Sequence, residues 1–407
     1  GLLDESVPLP PCPAARTFQL PAVSSGPGAP PPAGRWGHTL TAVGPRTLAL
    51  YGGEPDDDAK TRGSYGDLHL YDLDSATWSR PNNGDGLARQ WHTATFLPEK
   101  NLLVVFGGER VAAADGGGGG GGGGGAELLN NTMVLDTDIC LWYPPSIAGR
   151  APEPRAGHTA SLVGKHLVFF GGTSGRKWLS AVECMDTERW TWMEKITISG
   201  GPVPKGRTYH TATVVQDKIV FFGGSNYASV FNDLFVLDLS KGEGAWEWFH
   251  PFAVGAPPAP RTGHGAALLG DGRTVLVHGG WDPQSSGSES EVTYFKDSFL
   301  LDTELWEWSA GPAVTSGTAE SDSRPQDVGQ AGLDPRAGAA ALEDVLRYRT
   351  GHSAVGLPRS GGSGRSGGAP GTEQPDEEDE VVLFGGQCQN GTRLSDLRLV
   401  TLRRGGA

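Results

Sequence analysis

The sequence is short of cysteine, with 4 among its 407 residues. They are Cys12, Cys140, Cys184 and Cys388, and no two of them form a C-x-x-C pair. This scatter argues against a zinc knuckle and suits a reducing compartment. No apolar stretch approaches the roughly 20 residues of a membrane span, so no membrane insertion is expected. We therefore expect an intracellular, cytoplasmic protein.

Positive charge is also scarce. The chain has 33 Lys+Arg against 47 Asp+Glu, for a net charge of −14 at pH 7. Proteins that bind nucleic acid or anionic membranes present a basic surface, so we expect neither partner. The sequence begins without Met and shows no signal peptide, and we interpret it as a subunit or domain of a larger protein or assembly.

Catalytic motifs are missing as well. There is no P-loop and no H-E-x-x-H, and the glycine run at 116–125 lacks the Lys-Ser or Lys-Thr of a phosphate loop. We expect no catalytic residue, no metal and no cofactor. Distant residues can still converge in space, which leaves an enzyme with a central-channel site as the least favoured alternative.

What the sequence does contain is one unit repeated six times. Each unit opens with Arg-x-x-His, continues into an apolar run that ends in Gly-Gly, and then shows a further short apolar strand. The openings are Arg35 and His38, Arg89 and His92, Arg155 and His158, Arg207 and His210, Arg261 and His264, and Arg349 and His352. The glycine pairs are Gly52 and Gly53, Gly107 and Gly108, Gly171 and Gly172, Gly223 and Gly224, Gly279 and Gly280, and Gly385 and Gly386.

The spacing of the units is similar to that of a known repeat family. Successive openings lie 54, 66, 52, 54 and 88 residues apart, and a period near ~50 residues is typical of kelch repeats. Over nearly the whole chain, the six copies resemble the kelch-repeat family. The resemblance implies an all-β, six-bladed propeller. It also implies that one face binds peptides, with arginines and aromatic residues holding acidic or C-terminal groups.

The two ends of the chain predict how the ring closes. The sixth unit stops at its third strand, whereas residues 16–20 resemble the fourth strand of a unit, with Phe18 in place of Trp. We therefore predict that this N-terminal strand completes the last blade, which removes the open edges of the sheet.

The whole chain, 1–407, is predicted to be this single propeller. The blades are expected at about 35–80, 89–144, 155–194, 207–250, 261–309 and 349–402. Low-complexity segments at 111–127, 311–345 and 357–380 interrupt the repeat and are predicted to be flexible inserts.

The motif arginines and histidines are interpreted as structural. Six histidines placed around a ring are too dispersed to converge on one ion, whose ligands must lie near 2 Å from it. Each arginine is expected to pair with a carboxylate or a backbone carbonyl of its own or the next blade.

The loops after each Gly-Gly carry the candidate binding residues, because a rigid scaffold presents function on its loops. The candidates are Arg62, Arg110, Arg176, Lys177, Trp178, Tyr227, Trp281, Lys296 and Arg393. Trp36, Trp91 and Tyr209 lie within the Arg-x-x-His motifs and are expected to face the same mouth.

The sequence thus predicts a non-catalytic platform that binds another protein or a peptide through loops on one propeller face. Two alternatives stay open. The chain is an architectural subunit of a stable assembly, or it is the substrate-receptor module of a ubiquitin ligase whose adaptor domain lies elsewhere.

Overall fold

A computed structural model describes residues 15–19, 23–24, 31–55, 63–111, 126–284, 292–311, 314–316, 348–359, 378–389 and 391–403. In this part of the chain all regular elements are β-strands. It accordingly contains no helix of the length and apolarity that crossing a bilayer requires. The strands form six sheets of four or five strands, together with two short hairpins.

The first three blades are described from the central channel outward. Blade one holds β3 (Thr39–Ala42), β4 (Thr47–Tyr51), β5 (Leu68–Asp72), β6 (Thr77–Ser79) and β2 (Val23–Ser24). Blade two holds β7 (Thr93–Leu97), β8 (Leu102–Phe106), β11 (Thr132–Asp136) and β12 (Leu141–Tyr143), with the hairpin of β9 (Glu109–Arg110) and β10 (Glu127–Leu128) beside it. Blade three holds β13 (Ala156–Val163), β14 (His166–Thr173), β15 (Val182–Asp186) and β16 (Thr191–Trp192).

The other three blades follow the same plan. Blade four holds β18 (Thr211–Val215), β19 (Lys218–Phe222), β20 (Leu234–Asp238), β21 (Trp246–Phe249) and β17 (Ile198–Gly200). Blade five holds β23 (Gly265–Leu268), β24 (Thr274–His278), β27 (Ser298–Asp302), β28 (Glu307–Ala310) and β22 (Val254–Gly255), with the hairpin of β25 (Trp281–Asp282) and β26 (Thr293–Tyr294). Blade six holds β30 (Ser353–Leu357), β31 (Glu378–Phe384), β32 (Leu397–Arg403), β1 (Ala15–Gln19) and β29 (Val314–Ser316).

The six innermost strands close into a ring. Neighbouring inner strands contact one another in the order β3, β7, β13, β18, β23, β30 and back to β3. The N-terminal strand β1 pairs antiparallel with β32, from Ala15 opposite Leu402 to Gln19 opposite Arg398. The predicted six-bladed propeller, closed by an N-terminal strand in the last blade, is therefore confirmed. The side chain of Phe18, the predicted substitute for Trp, lies outside the described residues.

The hydrophobic core lies between blades, as continuous apolar second strands predict. In β19, for example, the four residues after Lys218 are all buried. Between blades three and four, the ring centroids of Phe170 and Phe221 lie 5.1 Å apart, and Trp248 packs on both. Each such aromatic residue removes ~150–250 Å² from water, so every blade is held chiefly by its neighbours.

The predicted inserts fall mostly outside the described residues. Short parts of them are ordered as strands, since β29 lies within 311–345, β31 begins within 357–380 and β10 begins at the end of 111–127.

The outer edges of the blades differ. In blades one, four, five and six, a short fifth strand runs parallel to the fourth. Blade three has a single parallel bridge, Ala148 with Thr191. Blade two has neither among the described residues.

Candidate functional site at the loop face

The Gly-Gly pairs join each blade to the next. The N–H of the second glycine donates to the carbonyl of the motif arginine one blade further on. The six bonds are 2.8–2.9 Å long and run from Gly53 to Arg89, Gly108 to Arg155, Gly172 to Arg207, Gly224 to Arg261, Gly280 to Arg349 and Gly386 to Arg35. The last bond links blade six to blade one, so the repeat motif itself closes the ring.

The motif arginines are buried and point into their own blades. Arg35 donates to the Gly52 carbonyl at 3.0 Å and to both carboxylate oxygens of Asp67 at 2.7 and 3.0 Å. Tyr65 covers its guanidinium, with 4.3 Å from the ring centroid to Cζ. Burial opposes ionisation of Asp67, but hydrogen bonds from His69 and Arg35 hold the pKa of its carboxyl below the ordinary value. The Arg35 guanidinium is therefore held within its own blade.

The aspartate partner recurs in four blades only. Arg207, Arg261 and Arg349 pair with Asp233, Asp297 and Asp396. The equivalent positions in blades two and three are Asn131 and Ala181. Among the described residues, the one carboxylate that Arg155 pairs with is accordingly that of Glu183, at 3.8 Å.

This difference gives a paired test. Asp233→Ala is expected to lower the free energy of unfolding by about 2–3 kcal/mol, because it leaves the buried Arg207 without its counter-charge. The figure lies below the ~3–5 kcal/mol of a fully buried pair because the Asp233 side chain is 30% exposed. Ala181→Asp supplies the carboxylate that blade three lacks, and it should raise the urea midpoint. Equal effects of the two substitutions would contradict the pairing.

The motif histidines pack on the preceding blade. Each ring lies over the first glycine of that blade's Gly-Gly pair, where a Cβ would meet the ring within 2.7–3.2 Å. In four cases Nε2 also bonds a threonine hydroxyl at 2.9–3.1 Å, as in Thr159 with His210. His38 and His352 lack this bond, because Ser353 and Gly265 occupy the threonine position and the Ser353 hydroxyl bonds the His38 carbonyl.

Burial keeps these histidines neutral. Burial, followed by the charge of the neighbouring motif arginine, lowers the pKa of His38 and of His264 to about 3. The six rings line a central cavity of about 120 Å³. No cluster of three or more metal-ligating side chains occurs among the residues that the structure describes.

A ring of backbone hydrogen bonds, which the sequence analysis missed, surrounds the channel. The third residue of each Arg-x-x-His motif donates its N–H to the carbonyl of the equivalent residue one blade back, at 2.7–3.0 Å. The six residues are Gly37, Trp91, Gly157, Tyr209, Gly263 and Gly351. All have φ between 55° and 67°, which explains why four are glycine. The pattern of four glycines and two aromatic residues at one repeat position was the available signal.

The two aromatic members of that ring close the channel mouth. The Trp91 and Tyr209 ring centroids lie 4.6 Å apart, and Trp36 meets Trp91 edge-on at 5.0 Å. The Trp91 ring also lies against Gly37 in blade one and Gly351 in blade six. Burial raises the pKa of Tyr209. A ligand that approaches from this side meets aromatic rings and not the histidines beneath them.

Several predicted binding residues already have partners. Arg393 is buried, with Trp36 centred 4.1 Å from its guanidinium and Glu54 at 3.4 Å. Its guanidinium is thus held by Trp36 and Glu54, and a role for Arg393 in binding stays a prediction. Arg110 pairs with Glu127. Arg62 lies outside the described residues.

The two blade-five candidates, Trp281 and Lys296, each lie against an aromatic ring. Trp281 stacks on Tyr294 with a 5.9 Å centroid separation, and the Lys296 ammonium lies 5.4 Å from the Tyr348 ring centroid. Trp281 is half-buried.

The remaining candidates meet at one place, which we call the aromatic–basic patch: Arg176, Lys177, Trp178 and Tyr227. The Trp178 and Tyr227 ring centroids lie 5.5 Å apart. Tyr227 is 79% exposed at the tip of a turn whose N–H groups at 228 and 229 are capped by the Asn226 side chain.

Two basic side chains belong to the same patch. Arg176 and Lys177 are both exposed. Lys177 reaches Glu153 at 2.9 Å, while Arg176 forms no ion pair with the described residues.

Comparison with known proteins supports the repeat assignment. A family model described as the KLHDC2/KLHL20/DRC7 Kelch-repeats domain matches residues 37–202 and 116–326. Acyl-CoA-binding domain-containing protein 5 of Arabidopsis thaliana is 30% identical over 275 residues, 64% of this chain and 38% of that protein. The chain thus spans less than two fifths of that relative.

Two animal proteins are also similar. The Rab9 effector protein with kelch motifs of Xenopus laevis is 29% identical over 51% of this chain and 54% of its own length. Kelch domain-containing protein 3 of Rattus norvegicus is 26% identical over 66% of this chain and 67% of its own.

Proposed function

This chain belongs to the kelch-repeat family, and its kelch-repeat relatives indicate a protein-interaction module. We propose that it binds a partner protein through the propeller face that carries the loops after each Gly-Gly, with the aromatic–basic patch as the anchor. The observation that carries the proposal is Tyr227, which is 79% exposed although Trp178 packs against it. An exposed tyrosine ring loses its water-accessible area only on binding, and Tyr, Trp and Arg dominate the energetics of interfaces.

The charge of the patch indicates the partner's chemistry. Arg176 and Lys177 are exposed cations on a protein whose net charge is −14. Arginine binds a carboxylate with two parallel hydrogen bonds, and the flat rings of Trp178 and Tyr227 suit an adjacent apolar side chain. The proposed ligand is a peptide with an acidic or C-terminal carboxylate beside an apolar residue.

The test uses a photoreactive amino acid at position 227, with the same residue at position 305 as the control. Leu305 is 66% exposed in the turn between β27 and β28, on the opposite face of the propeller. In extracts of the native source, a partner should cross-link at position 227 and not at 305.

Adding Arg176→Ala and Trp178→Ala should then weaken binding of that partner at least tenfold, in line with losses of ~2 kcal/mol or more at interface hot spots. The thermal midpoint should not change, because neither side chain lies in the core between blades. Equal labelling at both positions, or binding that survives the two substitutions, would refute the proposal.

A further inference from the structure

The fourth strand of blade two has an open outer edge. β12 pairs with β11 on its inner side, and no strand of the described residues pairs with its outer side. An unpaired edge presents backbone donors and acceptors that a further strand can use.

The neighbouring blades show which backbone groups such a strand uses. In blade three, Ala148 donates its N–H to the Trp190 carbonyl and accepts from the Trp192 N–H, both at 2.9 Å. The equivalent groups in blade two are the carbonyl of Cys140 and the N–H of Trp142, and neither is paired across this edge with any described residue.

Blade five repeats the first of these bonds, since the N–H of Val254 donates to the Trp306 carbonyl at 2.9 Å. In blade four the N–H of Gly201 donates at 2.8 Å to the Trp248 carbonyl, the equivalent of the Trp142 carbonyl two residues further along the same edge. Blade two therefore offers the same short row of acceptors and donors that covering strands occupy elsewhere in the molecule.

The side chains beside this edge are apolar. Leu141 is 51% exposed and Tyr143 is 36% exposed. The position of Leu141 is polar in the four other blades whose fourth strand follows the repeat, where it is Thr77, Thr191, Glu247 and Glu307. An exposed apolar residue next to an open edge is a liability for a free protein, and it becomes favourable when a strand covers it.

We propose that the outer edge of blade two is a docking site for an extended segment of a partner protein, which adds as a fifth strand parallel to β12. The covering strands of blades one, four and five fix this direction, since each runs parallel to the fourth strand of its blade. They also fix the length at two or three residues.

The same register defines the chemistry of the segment. In blade five, Val254 lies opposite Glu307, the equivalent of Leu141. A β-branched or other apolar residue of the partner is expected at this place, where it packs beside Leu141.

A second copy of this chain fits less well. Two identical β12 edges related by a twofold axis would pair antiparallel, contrary to the direction of the covering strands in the other blades. Self-association is therefore an outcome that the experiment must exclude.

The probe is a fluorescent synthetic peptide with the sequence of residues 250–257, which contains the covering strand of blade five. Its matched control carries an N-methyl group on the Val254 nitrogen, which removes the donor expected to bond the Cys140 carbonyl. The protein control is Leu141→Thr with Tyr143→Ser, which installs the residues that blade one carries at Thr77 and Ser79. Binding is followed by fluorescence anisotropy, and the fold of the double variant by its thermal midpoint.

Saturable binding to the unaltered protein is expected, with at least tenfold weaker binding for the N-methyl peptide and for the double variant. A photoreactive group on the peptide should label β12. The proposal is overturned if no saturable binding occurs or if both controls bind equally well. It is also overturned if sedimentation shows a dimer that the double variant abolishes.

Discussion

A chain that lacks residues 1–19 is expected to lose much of its stability. The deletion removes β1, which pairs along five residues with β32 and along three with β29. Each hydrogen bond of such a ladder contributes about 0.5–1.5 kcal/mol net, so a loss of about 3–6 kcal/mol is expected. The deletion also leaves β32 as an open edge, which favours aggregation.

The control is a deletion of residues 1–13, which keeps the whole β1–β32 ladder. Urea midpoints of the two truncated chains should differ, and the longer deletion should unfold at the lower concentration. Identical midpoints would mean that β1 does not close the ring, and they would contradict the fold at its most consequential contact.

Acid is expected to unfold this protein well above the pH at which its carboxylates protonate. The six motif histidines are buried, and their pKa values lie below the ordinary 6.5, at about 3 for His38 and His264. Between pH 6.5 and about 3, the unfolded chain binds protons that the folded chain does not. The free energy of unfolding therefore falls as the pH falls through this window.

The size of the effect follows from linkage. At pH 5.5, each histidine that stays neutral in the folded state lowers the free energy of unfolding by about 1.4 kcal/mol. Six of them together lower it by on the order of 8 kcal/mol. Below about pH 4 the loss deepens, because Asp67 and Asp396, whose pKa values are lowered, also take up protons in the unfolded chain.

Urea titrations at pH 7.5 and pH 5.5 measure this difference. His264→Asn should lower stability at pH 7.5 but make the dependence on pH shallower by about 1.4 kcal/mol, because one proton-linked site is gone. A midpoint that does not change between the two pH values would show that the buried histidines accept protons without cost.

The repeat could be predicted from the sequence because each blade is local. The apolar second strands and the Gly-Gly pairs lie within one unit of about 50 residues, and their sixfold recurrence specifies the number of blades. The aspartate that pairs with Arg207 could also have been predicted from the sequence, since Asp233 directly precedes a third strand, as Asp67, Asp297 and Asp396 do.

The contacts that could not be predicted from the sequence are those that form between blades when the ring closes. Arg393 is a candidate surface cation when viewed in its own loop, but it lies against Glu54 and Trp36, more than 330 positions away, once blade six meets blade one. The contact between the Trp91 and Tyr209 rings likewise joins blades two and four across the channel. Such contacts are absent from any single repeat, and nothing in the spacing of the motifs specifies them.

The ring of six backbone hydrogen bonds at the channel has a further consequence. Every bond in it points the same way around the axis, from one blade to the blade before it. Such a cycle has no first or last member, so five correctly placed blades cannot satisfy it and a sixth completes two bonds at once. The backbone hydrogen bonds are thus all satisfied only when six blades are present, whatever side chains fill the space between the blades.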